Sequence, residues 1–211
     1  MLKTIKFLKK ESLGFDTYTF YFEKPEQLTY TAGQFALFIQ GGLTRPHPFS
    51  ISSAPSEKYL AFTTSIKSQS RFKKRLMNLT KGNKILFIGP IGTMNIDYQK
   101  KNLFIAQGIG ITPFHAILEE QNNKGSFSEN SLIHVAKGDH PFKNVTGKLA
   151  SKASYPESKE QFETDLLDQL DNDVFFISGS SSFVSDTKQT LLENGIQEDQ
   201  IKTDVLFGYR Y

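Results

Sequence analysis

Two stretches decide the fold, HPFSIS at residues 47–52 and GIGITP at residues 108–113. The first predicts a strand that presents an aromatic ring and a hydroxyl to a flat ring system. The second predicts a glycine turn that opens a helix onto a phosphate, because the N-terminus of a helix favours anions. Either stretch alone has an ordinary alternative, a plain sheet strand or a plain strand-to-helix turn. Their order and separation favour a chain that brings a flat ring and a nucleotide together.

The composition limits the chemistry. A chain of 211 residues with 38% hydrophobic content can bury a core as one large domain or two small ones. The absence of cysteine excludes disulfides, thiolate zinc sites, iron–sulfur clusters and thiol nucleophiles. The four histidines are scattered, and no zinc-binding or paired-carboxylate motif accompanies them, so no metal site is expected. Any redox chemistry must therefore be organic.

No targeting signal is apparent. The N-terminus lacks the order of charged, apolar and small residues that marks a secretory signal, and no apolar run reaches the ~20 residues needed to cross a bilayer. We therefore expect a cytoplasmic protein without a membrane span.

Charge is divided unevenly along the chain. Residues 1–96 carry 14 Lys and Arg against 5 Asp and Glu, a net charge of +9, whereas residues 97–211 carry 11 against 17, a net charge of −6. This division indicates two units with different partners, the basic one facing phosphates or an acidic protein. A solvated basic surface is the alternative explanation.

The first unit is predicted to consist of strands. Its β-prone runs are residues 15–22, 35–39, 60–66 and 85–88, and the glycines and prolines between them have the spacing of a small antiparallel barrel. One helix is predicted over Arg71–Leu79, where Phe72, Leu76 and Leu79 recur at helical intervals.

The second unit alternates between strands and helices, which predicts a parallel sheet wrapped by helices. Strands are expected at 103–106, 132–136, 174–177 and 202–207, and helices at 113–121, 161–170 and 183–194. Thr112 is predicted to be the N-cap of the first of these helices, with Pro113 at its first position. Residues 137–160 are predicted to be a long loop. The division falls near residues 97–102, giving domains 1–98 and 99–211.

This ordered set of motifs resembles the ferredoxin–NADP reductase superfamily of flavoenzymes over nearly the whole chain. The resemblance implies a small antiparallel Greek-key β-barrel that binds a flavin and an α/β parallel-sheet domain that binds NAD(P). The family's Arg-x-Tyr-Ser element corresponds to His47, Pro48, Phe49 and Ser50. The His-Pro-Phe-Ser version is similar to that of the ferric reductase and NADPH oxidase branches.

The resemblance assigns flavin-binding roles on the barrel. Phe49 would stack on the flavin ring, and Ser50, the catalytic candidate, would approach its N5 edge. His47 would be a weaker phosphate partner than arginine, and Arg45 is a possible substitute. As alternatives, Phe49 is an ordinary core aromatic and His47 a surface histidine. The remaining expected cofactor-binding residues of this half are Pro48, Ser65, Ile66, Lys67, Arg71 and Phe72. With Arg71 and the first turn of its helix near the diphosphate, FAD is expected and FMN stays possible.

The second half carries the nicotinamide-side elements. The family's GxGxTP pattern is met, and the expected contacts are Gly108, Gly110, Ile111, Thr112 and Pro113. Gln107 replaces a glycine that is common in the family. The serine-rich segment 178–183, with Gly179 and Ser180, resembles the family's Cys-Gly-Pro-Pro element, although a helix cap explains it equally well.

Two features concern the ends of the bound nucleotides. Lys137 favours a 2′-phosphate, hence NADPH, but an exposed loop lysine is as good an explanation, so NADH stays open. Leu206 stands where the family often has an aromatic residue over the flavin, and Tyr209, Phe207 or Tyr211 are the candidates to take that role.

The function expected from the resemblance is hydride transfer from NAD(P)H to FAD, then delivery of single electrons to an external acceptor. A small acidic ferredoxin or flavodoxin, another redox protein or a ferric chelate would suit the basic barrel. The alternatives are a non-catalytic flavin-bearing relay subunit of a larger complex and a nucleic-acid-binding module. The absence of aromatic and basic stripes disfavours the last of these, so no nucleic-acid partner is expected.

Overall fold

The structure is a computed structural model that describes residues 2–40, 45–92, 94, 96–125 and 128–206. Its strands are β1 (Leu2–Ser12), β2 (Thr17–Glu23), β3 (Phe35–Ile39), β4 (His47–Ser50), β5 (Tyr59–Ser65), β6 (Lys84–Ile91), β7 (Asn102–Gln107), β8 (Asn130–Val135), β9 (Lys152–Ser154), β10 (Val174–Gly179) and β11 (Ile201–Val205). Its α-helices are α1 (Arg71–Met77), α2 (Thr112–Lys124), α3 (Lys143–Leu149), α4 (Lys159–Leu167) and α5 (Ser181–Glu193). Short 3₁₀-helices cover Gly108–Ile111 and Glu198–Gln200.

The first six strands form an antiparallel sheet in the order β4-β3-β6-β1-β2-β5. A bridge between Ile51 and Phe62 joins the end of one edge strand to the other edge strand, so the sheet curls into a barrel. Alternate residues point inward, and the centre is filled by aromatic rings: Phe62 stacks on Phe20 and Phe22 at centroid distances of 5.5 and 5.4 Å. This confirms the predicted barrel.

Strand β1 was missed by the sequence analysis. It pairs with both β2 and β6, yet only Ile5 and Phe7 among its eleven residues are fully buried. Five of its residues are Lys or Glu, and a register shift after Phe7 breaks the alternation that reveals a half-buried strand.

The last five strands form a parallel sheet in the order β11-β10-β7-β8-β9, with helices between them. This confirms the predicted α/β domain. The prediction of a loop over 137–160 is wrong, because α3 and β9 lie within it. Both are short, and within α3 only Thr146 is fully buried, so no periodic apolar pattern was available to reveal them.

Polar contacts join helix α2 to the loop that follows β4. The Oε2 of Glu120, which is 4% exposed, accepts hydrogen bonds from Ser56 N at 2.8 Å and Ser56 Oγ at 2.7 Å. Lys124 pairs with the other carboxylate oxygen at 2.9 Å. One turn before Glu120, the Nδ1 of His115 lies 2.9 Å from the carbonyl oxygen of Ser52. These bonds hold the barrel and the sheet together.

Among the described residues, no helix has the length and apolar character needed to cross a membrane. The same residues contain no group of three or more histidine or acidic side chains placed to hold a metal ion.

We expect Glu120→Gln to destabilise the protein by about 2 kcal/mol, because it removes the charge from an acceptor of hydrogen bonds that is also ion-paired. Burial raises the pKa of Glu120, but the bonds from Ser56 and Lys124 outweigh this and bring it below its ordinary value of 4.5. The carboxylate therefore contributes stability above about pH 4.5, and that contribution is lost as the pH falls through the lower folded-state value.

The measurement is urea unfolding followed by circular dichroism between pH 7 and pH 3, where the gap between wild type and variant should narrow on acidification. Glu163→Gln is the matched control, since Glu163 forms an exposed i,i+4 pair with Lys159 and its loss should change stability by less than about 0.5 kcal/mol. Equal effects of the two substitutions at neutral pH would contradict the interpretation.

Candidate functional site

A cleft of about 270 Å³ lies between the barrel and the carboxyl edge of the parallel sheet. Its lining is mainly apolar, with three hydroxyls and one carboxylate. The lining residues are Phe35, Pro48, Phe49, Ser50, Thr63, Ile109, Thr112, Asp204, Val205 and Leu206. The two stretches quoted first therefore face each other across it. Its volume is just below the range typical of small-molecule sites, so it suits one flat ring system, with the rest of a dinucleotide outside it.

The barrel wall of the cleft is built on β4. This strand is half-buried, and the ring of Phe49 stacks on Phe62 at 4.9 Å and on Phe72 at 5.6 Å, with interplanar angles of 21° and 19°. Those neighbours hold the Phe49 ring in a fixed plane while it still lines the cleft. Ser50, next along the strand, also lines the cleft.

His47 lies over the core side of the barrel wall. Its ring stacks on Phe72 at 4.0 Å. Burial and the nearby positive charge of Lys73 lower the pKa of His47 below its ordinary value, so the ring is neutral at physiological pH. A neutral imidazole offers a phosphate one hydrogen bond and no charge. Phe72 is 2% exposed and supports His47 and Phe49 from beneath instead of lining the cleft.

The end of the barrel next to α1 carries the remaining predicted flavin residues. Ser65 and Ile66 are half-buried, Lys67 and Arg71 are exposed, and none of the four belongs to the cleft lining. Helix α1 has seven residues, and the Oγ of its N-cap Ser70 accepts a hydrogen bond from Lys73 N at 3.3 Å. Burial lowers the pKa of the Lys73 ammonium to about 8.

The glycine turn is a 3₁₀-helix. Gly108 has a φ of +54°, in the left-handed region, as a tight turn requires. Gly110 is needed for another reason: a Cβ there would lie 2.3 Å from the carbonyl oxygen of Ser178 on β10. The prediction that Thr112 is the N-cap is wrong, because the turn runs directly into the helix. Thr112 is the first residue of α2, and its Oγ1 donates to the carbonyl of Ile109 at 2.7 Å.

The other nicotinamide-side residues occupy different positions. Ile111 and Pro113 are buried in the core of the sheet domain, and Lys137 is exposed just beyond β8. Gly179 ends β10, and Ser180 is the N-cap of α5, which the alternative explanation of this segment predicted. None of these residues belongs to the cleft lining.

Two residues without an assigned role tie the site together. The Oε1 of Gln107 accepts from Ser180 Oγ at 2.6 Å and Ser180 N at 3.2 Å, which joins the glycine turn to the start of α5. Asp204 lines the cleft and accepts a hydrogen bond from Ser178 Oγ at 3.2 Å. Burial raises the pKa of Asp204, although the Ser178 bond opposes this. Asp204 lies near the carboxyl end of β11, at the sheet edge where the glycine turn and the segment 178–183 also lie. That position was the signal by which the sequence could have identified it as a site residue.

Leu206 lines the cleft where a covering aromatic residue was considered. The candidates for that covering role, Tyr209, Phe207 and Tyr211, lie outside the described residues.

The donor set of the cleft fits the ring of a flavin. A flat ring with a polar edge needs an apolar wall and a few directed polar groups. Phe49 and Pro48 supply the wall, and Ser50 is the candidate hydroxyl donor, because the hydroxyls of Thr63 and Thr112 already bond to Ser52 and Ile109. The fold and this cleft together define a two-unit architecture, a barrel facing the carboxyl edge of a parallel sheet, with a site for a flat ring between them.

Comparison with known proteins agrees with this class. Residues 2–106 match the FAD-binding domain family. Flavohemoprotein A of Dictyostelium discoideum is 26% identical, over 90% of this chain and 56% of its own length. Respiratory burst oxidase homolog protein A of Solanum tuberosum is 29% identical, over 76% of this chain and 20% of its own. The chain thus spans about half the length of the first of these curated relatives and a fifth of the length of the second.

Solved structures share the fold. A ferredoxin NADP+ reductase from Neisseria gonorrhoeae, solved with bound FAD and NADP, superposes with a TM-score of 0.81 at 20% identity, over 97% of this chain and 98% of that one. The fold is therefore that of the ferredoxin–NADP reductases, and the resemblance of the chain to that superfamily, with relatives in the oxidase branch, is confirmed. The expected FAD is confirmed by the match to the FAD-binding domain family.

We expect Gly110→Ala to destabilise the protein by about 1–3 kcal/mol, because the new methyl group would overlap the backbone of β10. Thermal unfolding measures this effect. Gly147→Ala is the matched control, since Gly147 lies within α3 and its Cβ would meet only the hydroxyl end of Tyr155, at 3.1 Å. The control should be neutral or slightly stabilising. A Gly110→Ala protein as stable as wild type would show that the turn can move away from β10.

Proposed function

We propose that this chain is an NAD(P)H-dependent flavin reductase that passes electrons one at a time to an external acceptor. The observation that carries the proposal is the position of Phe49 and Ser50 opposite Ile109 and Thr112 in one cleft. A flavin ring held there would lie beside the sheet domain, where a nicotinamide ring bound at the glycine turn would meet it in the contact geometry that hydride transfer needs. The Neisseria reductase binds FAD and NADP, which supports the same pair of ligands here.

The residues of the chain have distinct roles in this proposal. Phe49 forms a fixed wall for one ring face, and Ser50 directs a hydroxyl hydrogen bond to the polar edge of the ring. Ile109 and Thr112 form the facing wall, and together with the apolar lining they exclude water. The glycine turn at Gly108 presents backbone N–H groups to a diphosphate. The chemistry that FAD supplies when bound is the conversion of a hydride donor into a source of single electrons.

The acceptor is proposed from charge. Residues 1–96 carry a net charge of +9, which would steer an acidic partner or an anionic chelate toward the barrel. A ferredoxin, a flavodoxin and a ferric chelate are the candidates. The cytoplasmic location stays a prediction.

A second candidate is a flavin-bearing electron relay within a larger assembly. It is favoured by the lengths of the relatives, of which this chain spans 56% and 20%. In that case the acceptor would be a further domain or subunit, and reduction by free NAD(P)H need not occur.

The deciding experiment is anaerobic reduction of the purified, FAD-loaded protein, followed by flavin absorbance. We expect the absorbance to bleach on addition of NADPH or NADH, and to recover on addition of a ferric chelate, ferredoxin or flavodoxin. Flavin that dithionite bleaches but neither nucleotide reduces would favour the relay. A protein that cannot be loaded with FAD would refute both.

We expect Ser50→Ala to slow flavin reduction by about tenfold or more, because a hydrogen-bond donor directed at the reacting edge is lost. The KM for NAD(P)H should stay within about threefold of wild type, since Ser50 lies on the barrel side. Stopped-flow reduction at saturating nucleotide measures the rate. Ser185→Ala, an exposed serine on α5, should leave it unchanged. An unaltered rate in Ser50→Ala would remove Ser50 from the mechanism.

A further inference from the structure

His134 is a buried titratable residue with no part in the mechanism above. It lies near the end of β8, opposite Ala106 of β7, and is 0% exposed. Its Nε2 lies 2.9 Å from the carbonyl oxygen of Gly108, the first residue of the glycine turn. Because a carbonyl oxygen only accepts hydrogen bonds, this contact requires that Nε2 carries the proton.

The charge state of the ring makes this bond independent of pH near neutrality. Burial, the largest effect, lowers the pKa of His134 to about 3, despite the opposing bond to Gly108. The ring is therefore neutral at physiological pH, with a single N–H, and that N–H points at the turn.

The second nitrogen of the ring argues against a purely structural role. The Nδ1 of His134 is buried and makes no hydrogen bond to the described residues. An unsatisfied buried acceptor destabilises the folded protein, and an apolar side chain would avoid that cost. What histidine adds at this position is the bond from Nε2 to Gly108.

A second histidine extends the connection. The rings of His134 and His140 meet edge to face, with their centroids 4.9 Å apart. His140 follows the exposed loop that begins at Lys137. The histidine pair thus links that loop to the turn at Gly108, two parts of the molecule proposed to hold the two ends of one nucleotide.

We propose that His134 is a positioning residue for NAD(P)H: its Nε2–H fixes the Gly108 carbonyl, and thereby aims the N–H groups of the following turn at the diphosphate of the nucleotide. This inference rests on the proposed function. It predicts that loss of the Nε2–H bond weakens the binding of the nucleotide and leaves the binding of FAD to the barrel unchanged.

Three substitutions separate this role from packing. His134→Gln keeps an amide N–H near the position of Nε2, His134→Asn carries its amide only as far as Nδ1, and His134→Leu has no donor. We expect the His134→Leu and His134→Asn proteins to have a Kd for NADP+ or NAD+ about tenfold higher than that of wild type. Their KM for NAD(P)H should rise by the same factor. The His134→Gln protein should keep both the Kd and the KM within about threefold of wild type. The FAD content should be the same in all four proteins.

The measurements are fluorescence titration of the oxidised, FAD-loaded protein and steady-state oxidation of NAD(P)H with ferricyanide as acceptor. Thr146→Val is the control for lost stability, because the buried Thr146 hydroxyl bonds Phe142 O and Tyr155 beside the histidine pair. It should lower the unfolding temperature and leave the Kd unchanged. If His134→Leu does not fold, the comparison of Gln with Asn carries the test.

Equal nucleotide affinity in the Gln and Asn proteins, or a wild-type Kd in His134→Leu, would overturn the role of His134 and leave the proposed function standing. A wild-type protein that binds neither nucleotide would overturn both together.

Discussion

The seating of helix α2 on the barrel is the constraint on which the cleft depends. The helix begins at Thr112 in the cleft wall, and one turn later the Nδ1 of His115 meets the carbonyl of Ser52, two residues beyond Ser50. The same helix therefore carries a wall residue and the bond that fixes its distance from the opposite wall. A change in this contact would alter the spacing across the cleft without touching a residue that lines it.

The two titratable groups at the contact between α2 and the barrel, His115 and Glu120, each keep a single charge state near neutral pH. Burial lowers the pKa of His115 to about 4, so its ring is neutral and donates to Ser52 with the tautomer that the carbonyl requires. Glu120, one turn further on, stays ionised because Ser56 and Lys124 bind its carboxylate. The two units are thus joined by bonds that persist across the physiological pH range, which favours a cleft of constant width.

The sequence predicted those parts of the protein whose residues repeat or follow one another in order. The two cleft walls are short contiguous motifs, and Phe49, Ser50 and Thr112, which those motifs singled out, line one cleft. Strand β1 and the elements α3 and β9 lack a periodic apolar face, and the pattern could not reveal them. Gln107 and Asp204 act through residues more than 20 positions away in the chain. Only the parallel pairing of β10 with its neighbours brings those partners together.

The departures from the usual motif of the superfamily share one physical consequence. Phe49 has no hydroxyl group, His47 is neutral, and the aliphatic Leu206 lines the cleft at a position where an aromatic ring is common in the superfamily. Each removes a charge, a hydrogen bond or a ring that would otherwise hold the flavin. What replaces them is shape: Phe62 and Phe72 fix the plane of Phe49, and Phe72 also supports His47. On the proposed function, such a wall holds the flavin ring by contact with rigid aromatic neighbours, so its hold on the ring does not depend on the charge state of His47.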